Sequence, residues 1–334
     1  MTEIYRRQVT GPGAWKSADM ARRDDWTHVL TGAEIEDLDR ALRAVQKRGL
    51  AMADVTRDDF PLPVLGPFLA ELESTVRTGR GFALLRGIPV ARYTDEEVFL
   101  IKWGIGTHLG DKVSQNSYGD LLGHVYDHKR DPDETRTRGY QTSGELRFHV
   151  DRADMTSLLC LRRGRAGGLS RVVSSMSVHN AILARHPELL PPLYEGVPYI
   201  HIEEAGEMRS WKEPVFSVAD GVLSCSIRRN TVQKAIERSG IVMSELETAA
   251  LRCFDTLAED PEFMLEMELL PGDIQFVNNY TILHGRSAFV DGPKPATKRH
   301  LVRLWLRFFT SRPTAAFIRV QYNGIEKVLE RAAS

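Results

Sequence analysis

The chain has 334 residues, of which 42% are hydrophobic and 27% charged, a composition that fits a folded globular protein and excludes an intrinsically disordered one. Lysine plus arginine (44) nearly balance aspartate plus glutamate (45), and the formal net charge of −1 leaves no overall field to draw in nucleic acid or an anionic membrane. Residues 1–26 are interrupted by Arg6, Arg7, Lys16, Arg22 and Arg23, where a secretory signal needs a continuous apolar run. Nothing elsewhere approaches the roughly 20 apolar residues of a membrane span, so a cytoplasmic protein is the expectation. Cys160, Cys225 and Cys253 are far apart and lack C-x-x-C spacing, which favours buried thiols over disulfides or structural zinc.

In chain order, Thr31 and Glu34 form a capping box before Ile35, Leu38, Leu42 and Val45 at helical spacing, and Gly49 supplies the stop. Residues 81–90 read as a strand. Thr94 with Glu97 opens a second helix over 95–108, followed by a polar, turn-rich region, 110–144, that reads as a long functional loop. Short runs rich in Val, Leu, Ile and Phe at 146–149, 157–161 and 170–173 predict strands, and Asp220-Gly221 predicts a hairpin between 215–218 and 222–227. Ser244 with Glu247 opens a helix whose Leu246, Ala250, Cys253 and Leu257 share one face. Pro271-Gly272-Asp273 turns the chain into a strand at 274–277, and 300–309 supplies the last long strand. With no flexible linker and no repeat, the pattern predicts one domain over 1–334: a helical extension, 1–80, packed on a mainly β core, 81–310, with insertions.

The chemistry begins at Phe148-His149-Val-Asp151. Residues two apart on a strand project from the same face, so His149 and Asp151 can converge on one metal ion. Alone, H-x-D is a weak signal. A second element, Asn278-Asn279-Tyr-Thr-Ile-Leu-His284-Gly-Arg286, lies 133 residues beyond Asp151 and offers another imidazole. Two histidines and one carboxylate match the facial triad of non-haem Fe(II) oxygenases, which leaves open positions for a cosubstrate and O₂, although zinc accepts the same ligands. Third, Arg299 and Arg303 are four apart on the following strand and share a face. A guanidinium buried in a β core needs an anion, and its planar fork suits a carboxylate. Arg307 continues the spacing, which leaves open a solvent-facing row.

Together with Gly81-Phe-Ala-Leu-Leu-Arg-Gly87 and Gly167-Gly168-Leu-Ser170, these motifs resemble the taurine dioxygenase and clavaminate synthase-like superfamily of Fe(II)/2-oxoglutarate-dependent oxygenases. The likeness spans roughly 81–309, and its specificity lies in separate motifs occurring in the family's order. The resemblance implies a double-stranded β-helix, or jelly roll, with flanking helices and the active site in the mouth of the barrel. It implies Fe(II) held by His149, Asp151 and His284. Arg299, assisted by Ser170, would take the distal carboxylate of 2-oxoglutarate; Arg303 would face the substrate or the near carboxylate, and the split between the two arginines stays open. The implied reaction couples decarboxylation of 2-oxoglutarate, giving succinate and CO₂, to hydroxylation of a substrate C–H bond, with desaturation or ring closure as other outcomes. Arg303 points to a small anionic substrate such as an amino acid or a natural-product intermediate.

Two other readings of the residues stand beside this one: a non-catalytic sensor of small acids, and a zinc-dependent hydrolase on a similar barrel. Tyr140, Gln141 and Thr142 are candidates for the substrate pocket, and Asn278 and Asn279 for orienting His284. His108, His124 and His128 lack consistent ligand spacing. His179 reads as a helix first-turn residue after an N-cap at Ser177, and His300 should face away from Arg299. No aromatic track suggests nucleic acid, and self-association is left open.

Overall fold

In the computed structural model, which describes residues 3–129, 141–202 and 208–327, the apolar alternation resolves into two main sheets with helices outside each. The first part of the chain contributes α1 (Ser17–Ala21), β1 (Thr27–Val29), α2 (Gly32–Arg48) and α3 (Gly66–Thr78). Next come β2 (Phe82–Arg86), α4 (Asp95–Thr107), β3 (Asp111–Lys112), β4 (Leu122–Val125), β5 (Leu146–His149), β6 (Met155–Arg162), β7 (Ala166–Gly167) and β8 (Ser170–Ser174). Helices α5 (Ser175–Arg185) and α6 (Leu190–Glu195) lead to the hairpin of β9 (Val197–Ile202) and β10 (Met208–Glu213) and that of β11 (Phe216–Ala219) and β12 (Val222–Cys225). The chain continues through α7 (Arg229–Arg238), α8 (Glu245–Glu259), β13 (Met264–Met267), β14 (Ile274–Asn278), β15 (Ile282–Arg286), β16 (Phe289–Val290), β17 (His300–Arg307) and α9 (Ala316–Gln321).

The larger sheet has the order β1-β2-β14-β6-β17-β3, with β4 also on β17; the smaller is β13-β8-β15-β5. Strand alternation sorts the side chains into layers. On β14, Ile274 and Phe276 join Val302, Leu304 and Leu306 of β17 in a core shared with α2, α3 and α4. The other faces, with Leu84, Cys160, Val277 and Leu301, meet Val172 and Ile282 of the smaller sheet. Outside that sheet, Val173 and Leu283 pack with α5, α6 and α8. Burying each large aliphatic side chain in these layers contributes about 1.5–3 kcal/mol. The space between the sheets, where the inward faces of β15, β8 and β17 converge, holds the charged side chains described below.

Local signals explain the helix starts. Thr31, Thr94 and Ser244 each accept a hydrogen bond from the backbone N–H three residues on, with Glu34, Glu97 and Glu247 completing the boxes, and Gly49 ends α2 in the left-handed region at φ 64°. Both Asp220 and Gly221 have positive φ, as the hairpin turn requires.

Several expectations change. Region 110–144 is not simply a loop: β3 and β4 pair antiparallel with β17, because that strand's free edge captures segments too short to show alternation themselves. Residues 1–80 are not only helical, since β1 pairs parallel with β2 at the sheet edge. The inward stripe of α8 is Ala250, Leu251, Phe254, Leu257 and Ala258, with Leu246 exposed in the first turn. Helix α5 is capped by Ser174, which accepts from Ser177 N at 3.1 Å, so His179 sits deeper in the helix than expected and is fully buried.

Candidate metal centre

Strand β5 ends on His149, and β15 places His284 as its direct cross-strand partner, so the two imidazoles face each other with ring centres 4.3 Å apart. Asp151 follows one pleat later, anchored through Asp151 N, which donates to Asn279 Oδ1 at 3.0 Å. The three side chains offer ligand atoms that all lie within 4.8 Å of one another. His149 Nδ1 lies 2.9 Å from the carbonyl of Arg147, which can only accept, so the proton sits on Nδ1 and Nε2 keeps its lone pair. His284 presents Nε2 to Asp151 Oδ2 at 3.5 Å, while its Nδ1 is buried without a hydrogen-bond partner among the described residues.

The protonation states suit a cation. Desolvation, with the His284 ring beside it, pushes His149 down to about 4, leaving it neutral at neutral pH. For Asp151 burial acts upward, but Arg303 and the two imidazoles outweigh it and hold the carboxyl well below its ordinary range. The carboxylate is also oriented: Thr156 Oγ1 donates to Oδ2 at 2.8 Å and Trp305 Nε1 donates to the same oxygen at 2.9 Å. Oδ1 faces Arg303 Nη1 at 3.6 Å.

Asn278 and Asn279 do not orient His284. Asn279 supports Asp151 instead, with Nδ2 donating to Ala153 O and Thr156 Oγ1 at 2.9 and 3.0 Å. Asn278 ties down the end of α3 by donating to Val76 O and Arg77 O. Asn278 ends β14 and Asn279 opens the turn to β15, and the groups within reach there belong to the 151–156 segment and α3.

Further along the inter-sheet space lie the arginines. Arg299 is 6% exposed, its Cζ is 5.2 Å from the centre of the Phe289 ring, and its Nη1 has no hydrogen-bond partner among the described residues. Gly168, at φ +75°, lets it lie this close: a Cβ there would stand 3.0 Å from Arg299 Nε. Ser170 is buried, but its hydroxyl proton is donated to Gln275 Oε1 at 2.8 Å. Arg303 donates from Nε to Gln115 Oε1 at 2.7 Å, lies against the Trp305 ring and faces the Asp151 carboxylate. Arg307 is exposed and pairs with Asp111, so the row divides into two buried arginines and one at the surface. Burial and the Arg299 charge push Arg286 down to about 9, and burial pushes Arg299 down to about 10.

Tyr140 lies outside the described residues. Thr142 is buried and Gln141 half-buried, and both belong to the segment leading into β5. His108 bonds to Phe60 O, and His300 faces Arg162 on the outer side of the larger sheet, so both stay apart from the triad. Sequence reasoning missed Thr156, Trp305 and Gln115. Alternation along β17 offered a signal for Trp305, two residues after Arg303; Gln115 had none, because it lies where a loop was expected.

The donor set, two imidazoles and one ionised carboxylate, fits a divalent iron, and the open guanidinium N–H of Arg299 fits a carboxylate. Residues 45–305 match the profile of the Taurine catabolism dioxygenase TauD, TfdA family. The chain is 34% identical over 318 residues to FR-33289 synthase of Streptomyces rubellomurinus (strain ATCC 31215), covering 93% of this chain and 94% of that protein. It is 30% identical over 300 residues to taurine hydroxylase-like protein SAT17 of Stachybotrys chartarum (strain CBS 109288 / IBT 7711), covering 87% and 77%. Its fold is similar to asparagine oxygenase in complex with Fe(II), 2S,3S-3-hydroxyasparagine and succinate (TM-score 0.64, 18% identity, 84% of this chain and 93% of that one). It is also similar to the non-heme iron oxygenase OrfP in complex with Fe and alpha-ketoglutaric acid (TM-score 0.61, 17% identity, 84% and 94%). Among the described residues no helix is long and apolar enough to cross a membrane. The family sets aside the sensor and zinc-hydrolase readings: this chain belongs to the taurine catabolism dioxygenase TauD, TfdA family and is a non-haem iron, 2-oxoglutarate-dependent oxygenase.

Proposed function

We propose that His149, Asp151 and His284 hold the Fe(II), that Arg299 binds the distal carboxylate of 2-oxoglutarate, and that the chain hydroxylates a small anionic substrate. The observation that carries this reading is the convergence, between two sheets, of a buried His-Asp-His cluster and a buried arginine with an open donor. Bound iron, with 2-oxoglutarate and O₂, supplies oxidation of a substrate C–H bond coupled to release of succinate and CO₂. The chain's own residues prepare the site. Arg147 O fixes the His149 tautomer, Thr156 and Trp305 fix the carboxylate, and the exposures of Asp151 (8%) and His284 (5%) show how little water reaches them. No side-chain general base is required.

We read the fold as a double-stranded β-helix in one domain, a reading supported by the two facing sheets and the similarity to iron oxygenases. Arg303 lies at Asp151 and suits either the near carboxylate of the cosubstrate or an anionic group of the substrate. Ser170 assists Arg299 if its hydroxyl turns from Gln275 to the ligand. Gln141 and Thr142, with Tyr140 before them, stand at the approach to the ligand strand and are candidates for substrate contact. Asparagine oxygenase and OrfP structures carry hydroxylated asparagine and arginine, which supports an amino-acid-like substrate and hydroxylation as the outcome. The relative named FR-33289 synthase supports a biosynthetic intermediate.

Anaerobic titration of the metal-free protein with Fe(II), with and without 2-oxoglutarate, tests the assignment. A weak visible charge-transfer band that needs 2-oxoglutarate and vanishes in His149→Ala is the expected result. Bound iron without the band would overturn the ligand assignment.

A further inference from the structure

Two guanidinium groups lie against one ring between the sheets: the Cζ atoms of Arg286 and Arg299 are 4.5 and 5.2 Å from the centre of Phe289. Both side chains are buried, and no carboxylate among the described residues is ion-paired with either guanidinium; Asp291, which accepts from Arg299 N at 2.7 Å, acts on both from farther off, and Asp127 acts on Arg286. Two like charges buried together cost free energy unless an anion offsets them. Each also keeps a buried donor without a partner, Nε of Arg286 and Nη1 of Arg299.

Arg286 has other commitments. Its Nη2 donates to Thr142 O at 3.1 Å and to Gly144 O. The neighbouring carbonyls are held as well: Ser143 O accepts from Phe289 N at 3.0 Å and Gln141 O from His128 N at 2.9 Å. Every carbonyl from Gln141 to Gly144 is therefore engaged, and Arg286 and Phe289 supply the last three bonds. This segment runs directly into β5, which ends on His149.

We propose that Arg286 is a second anion-recognition residue of the cosubstrate pocket, and that its bonds to Thr142 and Gly144 transmit occupancy of that pocket to the segment leading into the His149 strand. The inference rests on the reading of the Arg299 pocket as the 2-oxoglutarate carboxylate site. The guanidinium is a rigid plane that fixes Nε relative to Nη2. An anion that accepts from Nε offsets the repulsion from Arg299, and the fixed geometry then keeps Nη2 on the two carbonyls. A site built this way favours a ligand with a second negative charge away from the iron, and filling it stiffens residues 141–148.

The test uses Fe(II)-loaded protein under anaerobic conditions, titrated calorimetrically with 2-oxoglutarate and with pyruvate, a 2-oxo acid lacking the distal carboxylate. Hydrogen exchange of the peptide 141–148 is followed in parallel. Wild type is expected to prefer 2-oxoglutarate and to gain protection in 141–148 when it binds. Arg286→Gln is expected to reduce the preference about tenfold or more and to abolish the ligand-dependent protection. Arg286→Lys keeps the charge on a single ammonium that cannot serve both the anion and the two carbonyls, so it should retain most of the preference and lose the protection. A wild-type preference in Arg286→Gln, or full ligand-dependent protection in Arg286→Lys, overturns the proposal. If the glutamine variant does not fold, the lysine variant decides through the same protection. A wild type that does not prefer 2-oxoglutarate to pyruvate refutes the pocket assignment itself, an outcome distinct from a preference that is present but indifferent to Arg286.

Discussion

At the residue scale, Asp151 carries more of the site's architecture than either histidine. One oxygen accepts from Thr156 and Trp305, its backbone N–H is held by Asn279, and Asn279 in turn donates to Thr156 Oγ1 and Ala153 O. This ring of bonds joins a turn at 151–156 to a turn at 278–281. Asn279→Ala removes three of the bonds and leaves buried partners unsatisfied, so Fe(II) affinity is expected to fall about 10–100-fold and stability by about 1–3 kcal/mol. Equilibrium metal titration beside urea unfolding checks both; a stability loss with unchanged metal affinity would make the asparagine purely structural. His149 and Asp151 were legible as a pair because alternation along a strand is a local property. The duty of Asn279 was not, because which groups lie behind a carboxylate depends on two distant turns meeting.

At the scale of elements, the turn at 271–273 decides how β14 enters the larger sheet between β2 and β6. Gly272 has φ +91°, its N–H donates to Cys160 O, and its carbonyl accepts from Ile88 N. A Cβ at this position would lie 1.9 Å from Ile88 O, closer than any packed carbon can approach. Gly272→Ala therefore meets both an unfavourable φ and a backbone clash, and is expected to cost about 3 kcal/mol or more, read as a lowered urea midpoint. An unchanged midpoint would mean that the strand shifts at no cost. The turn and β14 were visible in the sequence, as were the three capped helices, because caps and turn residues act within a few positions. Strand β15 was not visible as a strand, though it carries His284. Five residues containing a glycine show little alternation, and the strand exists because β8 and β5 flank it.

At the scale of the whole molecule, burial sets how stability responds to acid. Burial pushes His179 down to about 4; burial, then His124 and Arg162, push His300 down to about 4 as well. The unfolded chain takes up these protons near the ordinary 6.5, so the native state is fully favoured above that pH. Its advantage falls between 6.5 and 4 and levels off below. For the fully buried His179, bonded to Tyr194 OH, the effect is about 2–3 kcal/mol. Urea midpoints at pH 7, 5.5 and 4.5 should therefore drop less steeply in His179→Gln than in wild type; parallel curves would refute the burial argument. The amino-acid sequence by itself determined the helix starts, most strands and the spacing that set His149 and Asp151 on one face, since each depends on residues a few positions apart. Tertiary structure alone decided that β3 and β4 join β17, that Asn279 and Trp305 serve Asp151, and that Arg286 and Arg299 share one aromatic ring. Those contacts join segments more than a hundred residues apart in several cases, as for Asp151 with Asn279 (128) and with Trp305 (154), and they form because packed sheets bring their inward faces together.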